Sequence, residues 1–140
     1  MSEHGKSSIG ANVYAWLSLV RLPNLFTVPG DTVFGYLVVN GETSSPLFIY
    51  VLLSVLSLYV FGLIGNDLAD LQTDRMERPG RPLPSGRIGL LPAKLAAFGA
   101  GFSGLFFAWL CGKNVFIAAA VLLILIHSYN RSFKKIPFLG

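Results

Sequence analysis

Long uncharged stretches alternate with short polar islands along this 140-residue chain. Residues 43–66 carry no formal charge, and the segment PLFIYVLLSVLSLYVFGLIG from Pro46 to Gly65 would rise about 30 Å as a helix, the thickness of a bilayer's hydrocarbon core. Two more uncharged runs, residues 95–112 and 114–130, flank Lys113 and predict a pair of spans joined near Gly112 and Asn114. The first apolar stretch, from about Val13 to Val39, is interrupted by Arg21, Pro23, Pro29, Gly30 and Asp31. Proline has no N–H to give a helix, so this stretch predicts an interfacial lead-in helix that kinks or breaks near Pro23 and Pro29 before crossing. The expected fold is an all-α polytopic membrane bundle with about four transmembrane helices. Its spans are expected near 13–40, 46–66, 91–112 and 114–130, with a polar tail at 1–12 and a motif loop at 67–90.

Composition agrees with a membrane protein: 53% of residues are hydrophobic and the mean hydropathy is +0.61. This excludes a disordered segment and argues against an ordinary soluble domain. The basic residues give an orientation, because Lys and Arg favour the cytoplasmic flanks of spans. With the N-terminus inside, Lys6, Arg21, Arg75, Arg78, Arg81, Arg87, Lys94, Arg131, Lys134 and Lys135 all fall on the cytoplasmic side, and only Lys113 falls outside. The N-terminus and the motif loop are therefore expected to be cytoplasmic. The net charge of +4 is modest and suggests no nucleic-acid partner. The polar start MSEHGKSSIG has no apolar core of a secretory signal, and the single Cys111 has no metal-ligand neighbour at the usual spacings.

Half of the charged residues lie between Asp67 and Lys94, in the segment NDLADLQTDRMERPGRPLPSGRIGLLPAK that starts at Asn66. Asp67, Asp70 and Asp74 are spaced i, i+3, i+7, so a helix continuing two turns past Gly65 would carry all three on one face, with Asn66 beside Asp70. Such carboxylates repel one another unless a cation neutralises them, and Mg2+ prefers hard oxygen ligands and commonly bridges carboxylates to phosphate oxygens. The plainer reading is a solvated acidic helix end with Arg75 and Arg78 as ion-pair partners. The surroundings favour chemistry: Arg78, Arg81 and Arg87 can bind phosphate bidentately, and Pro79, Pro82 and Pro84 with Gly80, Gly86 and Gly89 predict a stiff, shaped loop.

The run Asn66-Asp67-x-x-Asp70-x-x-x-Asp74, followed by Arg78-Pro79-Gly80-Arg81-Pro82-Leu83-Pro84-Ser85-Gly86, resembles the first signature of the UbiA superfamily of intramembrane prenyltransferases. Arg21-Leu22-Pro23-Asn24-Leu25 resembles that family's first helix, and Tyr129 with Lys134-Lys135-Ile136-Pro137 resembles the end of its fourth. The resemblance implies the first half of the UbiA fold. It also implies Mg2+ held by Asp67, Asp70 and Asp74, and a polyprenyl diphosphate contacted by Asn66, Arg21, Asn24, Arg78, Arg81 and Lys134. Tyr129 would line the pocket of an aromatic or lipid-like acceptor, and the tail of the donor would extend toward the lipid bilayer.

Members of that family run to roughly twice this length and carry a second Asp-rich motif, whereas this sequence has no Asp or Glu after Glu77. A C-terminal half chain is therefore an expected partner, and the 140 residues alone are expected to be inactive. Several residues have structural alternatives. Arg21 and Lys134 could anchor to lipid headgroups, Tyr129 could be an interfacial anchor, and Asp31 could serve a hydrogen bond near Pro29 as readily as a ligand. A second function class also fits the rim of charges: a small membrane subunit binding ions or lipid phosphate within a larger complex. A soluble terpene-type synthase is disfavoured because amphipathic helices of a soluble bundle need polar faces.

Overall fold

The computed structural model describes residues 3–131, with side chains from Gly10 onward. The described chain is all helical: α1 (Glu3–Leu19), α2 (Leu22–Leu25), α3 (Thr27–Asn40), α4 (Pro46–Ala69), α5 (Leu71–Glu77), α6 (Leu90–Leu110) and α7 (Lys113–Arg131). Three of these, α4, α6 and α7, are long and apolar enough to cross a membrane. They coincide with the three uncharged runs of the sequence.

The first apolar stretch behaves differently from the other three. It is divided into α1, α2 and α3, and the 14 residues of α3 would rise only about 21 Å. The first break falls just before Pro23, whose ring would clash with the carbonyl of Leu19 in a continuous helix. Arg21 turns the chain there with φ 48 and ψ 57, the only non-glycine with positive φ among the described residues. The second break is at Phe26, three residues before Pro29, whose ring would clash with the carbonyl of Leu25 in a continuous helix. Pro29 sits in the first turn of α3, where its missing N–H would have had no intrahelical partner, so it starts a helix instead of kinking one.

α4 is the centre of the bundle, flanked by α6, α7 and α3. Its N-terminus is set by Ser45, whose Oγ accepts from the Leu47 N–H at 3.3 Å, with Pro46 as the first helical residue. α6 meets it through a seam of small residues, Ala93, Ala97, Gly101, Gly104 and Ala108, all buried. At Gly104 the backbones are so close that a Cβ would lie 2.8 Å from Leu58 Cγ and Cδ2, and the Gly104 carbonyl accepts a 2.8 Å hydrogen bond from the buried Ser54 hydroxyl. Close backbone contact through small residues is how membrane helices associate where lipid offers no hydrophobic driving force. Of the α6 glycines, Gly101 and Gly104 lie in the seam, while Gly99 faces open space. On its other side α4 offers Gly62 and Gly65 to α7, where Asn130 Nδ2 donates to the Gly62 carbonyl at 3.2 Å.

A second buried cluster lies toward the C-terminal end of α4. Ala15 and Leu19 of α1, Ile64 of α4, and Ala93 and Ala97 of α6 pack together there with Leu83 and Ile88 from the α5–α6 connection. This cluster sets the floor on which the polar residues stand.

Candidate functional site

α4 does not end cleanly after Ala69. Asp70 makes a one-residue interruption, but the Asp70 N–H still donates to the Asn66 carbonyl at 2.9 Å and the Asp74 N–H to the Asp70 carbonyl at 2.8 Å. The helical ladder thus carries through into α5, and Asp67 and Asp74 come onto one face. Seven residues at about 100° each bring Asp74 within roughly 20° of Asp67, whereas Asp70 is turned roughly 60° away.

The side chains follow this angular difference. Asp67 and Asp74 are 7% and 4% exposed, and both are held by arginines from other segments. Arg21 Nη2 donates to Asp67 Oδ1 at 3.1 Å. Arg81 Nη1 donates to Asp74 Oδ2 at 2.6 Å and lies 3.9 Å from Asp67 Oδ1, so one guanidinium joins the two acids. The result is a quartet of two carboxylates and two guanidiniums with no net charge. A buried carboxylate without a partner is costly, and each arginine here offsets that cost. Asp70 stands beside the quartet and accepts from Asn66 Nδ2 at 3.2 Å.

Arg81 reaches the acids because the connection after α5 is built as a rigid cap. Turn hydrogen bonds run from Arg81 N to the Arg78 carbonyl, from Ser85 N to the Arg81 carbonyl, and from Ile88 N to the Pro82 carbonyl, with lengths of 3.1, 3.0 and 3.1 Å. Gly86 takes the left-handed conformation at φ 76 that other residues rarely adopt. Leu83 and Ile88, both 3% exposed, plug the cap into the apolar floor. These two are the site's anchors, and nothing in their sequence neighbourhood separates them from other aliphatic residues of a polar loop.

The remaining expected site residues divide. Arg21, Arg81, Asp67 and Asp74 converge, with Asn66 and Asp70 adjacent. Asn24 is exposed in the short α2, where its carbonyl accepts from the Thr27 hydroxyl at 2.7 Å. Arg78 has no hydrogen bond or ion pair to the acids and lines a separate cleft with Arg87 and Arg81. Tyr129 on α7 is 45% exposed, with no hydrogen bond or ring contact to the quartet among the described residues. Lys134 lies outside the described residues. Asp31 lines an apolar cavity of about 820 Å³ between α3 and α4, together with Tyr36 and Tyr59.

Among the described residues, no three His, Cys, Asp or Glu side chains stand close enough to hold a metal ion by themselves. The donor chemistry nevertheless suits magnesium, which commonly takes one or two carboxylates and fills its other positions with water and phosphate oxygens. Asp67 and Asp74, which share Arg81, are the two carboxylates that would hold such an ion.

Residues 30–140 match the UbiA prenyltransferase family. The chain belongs to that family. It is 32% identical over 129 residues to a digeranylgeranylglyceryl phosphate synthase of Sulfolobus acidocaldarius, covering 92% of this chain and 47% of the relative. A synthase of the same name from Methanococcus vannielii is 30% identical over 128 residues, covering 90% of this chain and 46% of the relative. A solved structure described as giving structural and mechanistic insights into the biosynthesis of digeranylgeranylglyceryl phosphate synthase in membranes superposes with a TM-score of 0.83 at 27% identity. That superposition covers 89% of this chain and 45% of the other. The chain therefore spans about half the length of the curated relatives it matches, and the half it spans is the N-terminal one.

Proposed function

We propose that the quartet at the end of α4 is the part of a prenyl-transfer site that grips the diphosphate of a polyprenyl donor. The observation that carries this reading is the pair of buried acids, Asp67 and Asp74, held on one helix face by Arg21 and Arg81 at the end of an apolar bundle. When a diphosphate arrives, the arginines gain a second anionic partner and the acids are released toward a cation. Mg2+ bound there would neutralise the charge that gathers on the leaving oxygens.

In this reading the C–O bond to the diphosphate breaks with its electron pair leaving on oxygen. The allylic carbon accepts a pair from the acceptor, which then gives up a proton. Arg21 and Arg81 stabilise the departing charge, and the cap over them limits access of water to the reactive carbon. Asn66 and Asp70 complete the oxygen-rich rim. The acceptor is lipid-like in this proposal, in keeping with relatives whose names specify a glyceryl phosphate product. The site faces the cytoplasm, in keeping with the bias of basic residues toward that side. The full activity is assigned in this proposal to a protein of the relatives' length, of which this chain spans about half.

Titration calorimetry of the membrane-reconstituted protein with farnesyl diphosphate, with and without Mg2+, tests the proposal. Binding is expected only when the cation is present, and Asp67→Asn is expected to weaken it by about a hundredfold, the scale of losing a desolvated charge-assisted contact. Equal binding by Asp67→Asn, or Mg2+-independent binding of the wild type, would overturn the proposal.

A further inference from the structure

On the outer side of the cap lies a cleft of about 470 Å³ that is lined by Tyr14 and Ser18 of α1 and by Arg78, Gly80, Arg81, Pro82 and Arg87. No carboxylate lines it. Tyr14 and Ser18 are one helical turn apart, so their hydroxyls share the face that looks across at the arginines. Arg81 is already neutralised by Asp74, but neither Arg78 nor Arg87 has a carboxylate partner among the described residues. Arg87 is nevertheless held in place: its Nη2 donates to the Gly80 carbonyl and its Nε to Ser85 Oγ at 3.1 Å. That leaves three of its five N–H groups to point elsewhere.

We propose that this cleft is a binding site for a phosphate monoester dianion, distinct from the acid quartet and separated from it by the Arg81 side chain. Two uncompensated guanidiniums match the charge of about −1.5 to −2 that a phosphate monoester carries at neutral pH, whereas a phosphodiester carries only one. The planar forks of Arg78 and Arg87 suit two edges of the phosphate, and the Tyr14 and Ser18 hydroxyls can donate to a third oxygen. The volume leaves room for the group that bears the phosphate. That bearer is a lipid headgroup at the membrane surface, or the ligand is free phosphate. The inference does not rest on the diphosphate reading, since no acid or cation takes part.

Calorimetric titration of the purified protein in detergent, without Mg2+, with short-chain phosphatidic acid, short-chain phosphatidylglycerol and inorganic phosphate tests it. Phosphatidic acid is expected to bind at least about tenfold more tightly than phosphatidylglycerol. Arg78→Gln and Arg87→Gln are each expected to weaken that binding about tenfold, and Tyr14→Phe and Ser18→Ala about threefold. The α1 variants leave the cap's own hydrogen bonds intact and so separate ligand contact from loop collapse. Equal affinity for inorganic phosphate and phosphatidic acid would assign a free-phosphate ligand, and preference for the lipid would assign a headgroup. Equal binding of the diester, or affinity unmoved in all four variants, would overturn the proposal as surface charge alone. Asp67→Asn is expected to keep phosphatidic acid binding while losing Mg2+-dependent farnesyl diphosphate binding, so either reading can fail alone.

Discussion

α4 carries two kinds of contact along one helix. Its middle meets α6 by shape: small residues, a shared backbone approach at Gly104, and a single buried hydroxyl at Ser54 that donates to a carbonyl. Its end meets the α1–α2 junction and the α5–α6 cap by charge, with Arg21 and Arg81 closing on Asp67 and Asp74. In the first region every partner is fixed by volume, so the tolerance is a fraction of an ångström. In the second, long side chains converge from distant segments, and what must be conserved is the balance of charge. A helix can thus keep a rigid shaft while presenting a polar end able to exchange one anion partner for another.

The sharpest way to break the second region is to pull out its floor. Leu83→Ala is expected to cost about 3 kcal/mol, the usual loss for a buried leucine with incomplete collapse around the hole. Arg81 loses its anchor in the same step, so Mg2+-dependent diphosphate binding should fall with stability, even though Leu83 touches no ligand. Unfolding in detergent measured alongside the diphosphate titration checks both. Unchanged diphosphate binding by a destabilised but folded Leu83→Ala would show that the cap does not position Arg81.

The first region breaks in the opposite direction, by addition. Gly104→Ala places a methyl group 2.8 Å from Leu58 and is expected to destabilise the protein by about 2 kcal/mol. The double variant with Leu58→Ala should recover part of that loss, giving a coupling of about 1 kcal/mol in a double-mutant cycle. Additive effects of the two changes would show that the helices are held apart by something other than this contact. Diphosphate affinity of the folded fraction should not change in either variant. A milder probe of the same seam is Ser54→Ala, expected to cost about 1 kcal/mol, because it removes one donor while the Gly104 carbonyl keeps its own helix bond.

The two regions also differed in how far the sequence disclosed them. Uncharged runs located α4, α6 and α7, since a membrane forces each helix to satisfy its own backbone and shed its charges. The i, i+3, i+7 spacing predicts one face for Asp67, Asp70 and Asp74; the structure joins Asp67 and Asp74 through Arg81 and sets Asp70 to one side. The neighbouring of Asn66 and Asp70 follows from their i, i+4 spacing, whereas which arginines close on Asp67 and Asp74 is set by segments far away in the chain. Sequence could not say which small residues of α6 enter the seam: Ala93 and Ala97 do and Gly99 does not, a matter of where the helix faces. The pairing of Arg21 with Asp67 spans 46 residues and needs the fold to bring the segments together. The breaks expected near Pro23 and Pro29 occur, but each falls two to three residues before its proline, because a proline is tolerated in the first turn of the helix that follows the break.

The finest distinction between shape and charge lies at Arg21, which is a strained residue and an ion-pair donor at once. Its left-handed backbone costs about 1–2 kcal/mol for a residue with a Cβ, and glycine would remove that cost. Its guanidinium is 38% exposed, so the bond to Asp67 is partly screened and worth about 1 kcal/mol or less. Asp67 would still have Arg81 nearby at 3.9 Å. The two contributions nearly cancel, and Arg21→Gly is expected to unfold within about 1 kcal/mol of the wild type while binding farnesyl diphosphate about tenfold more weakly. Arg21→Gln keeps the strain, loses the charge, and should therefore be the less stable of the two with the same binding defect. If Arg21→Gly bound the diphosphate as tightly as the wild type, the left-handed turn would be a feature of chain reversal before Pro23 alone. If both variants lose binding while only Arg21→Gln loses stability, the guanidinium serves the anion and the left-handed backbone is a separate cost borne by the fold.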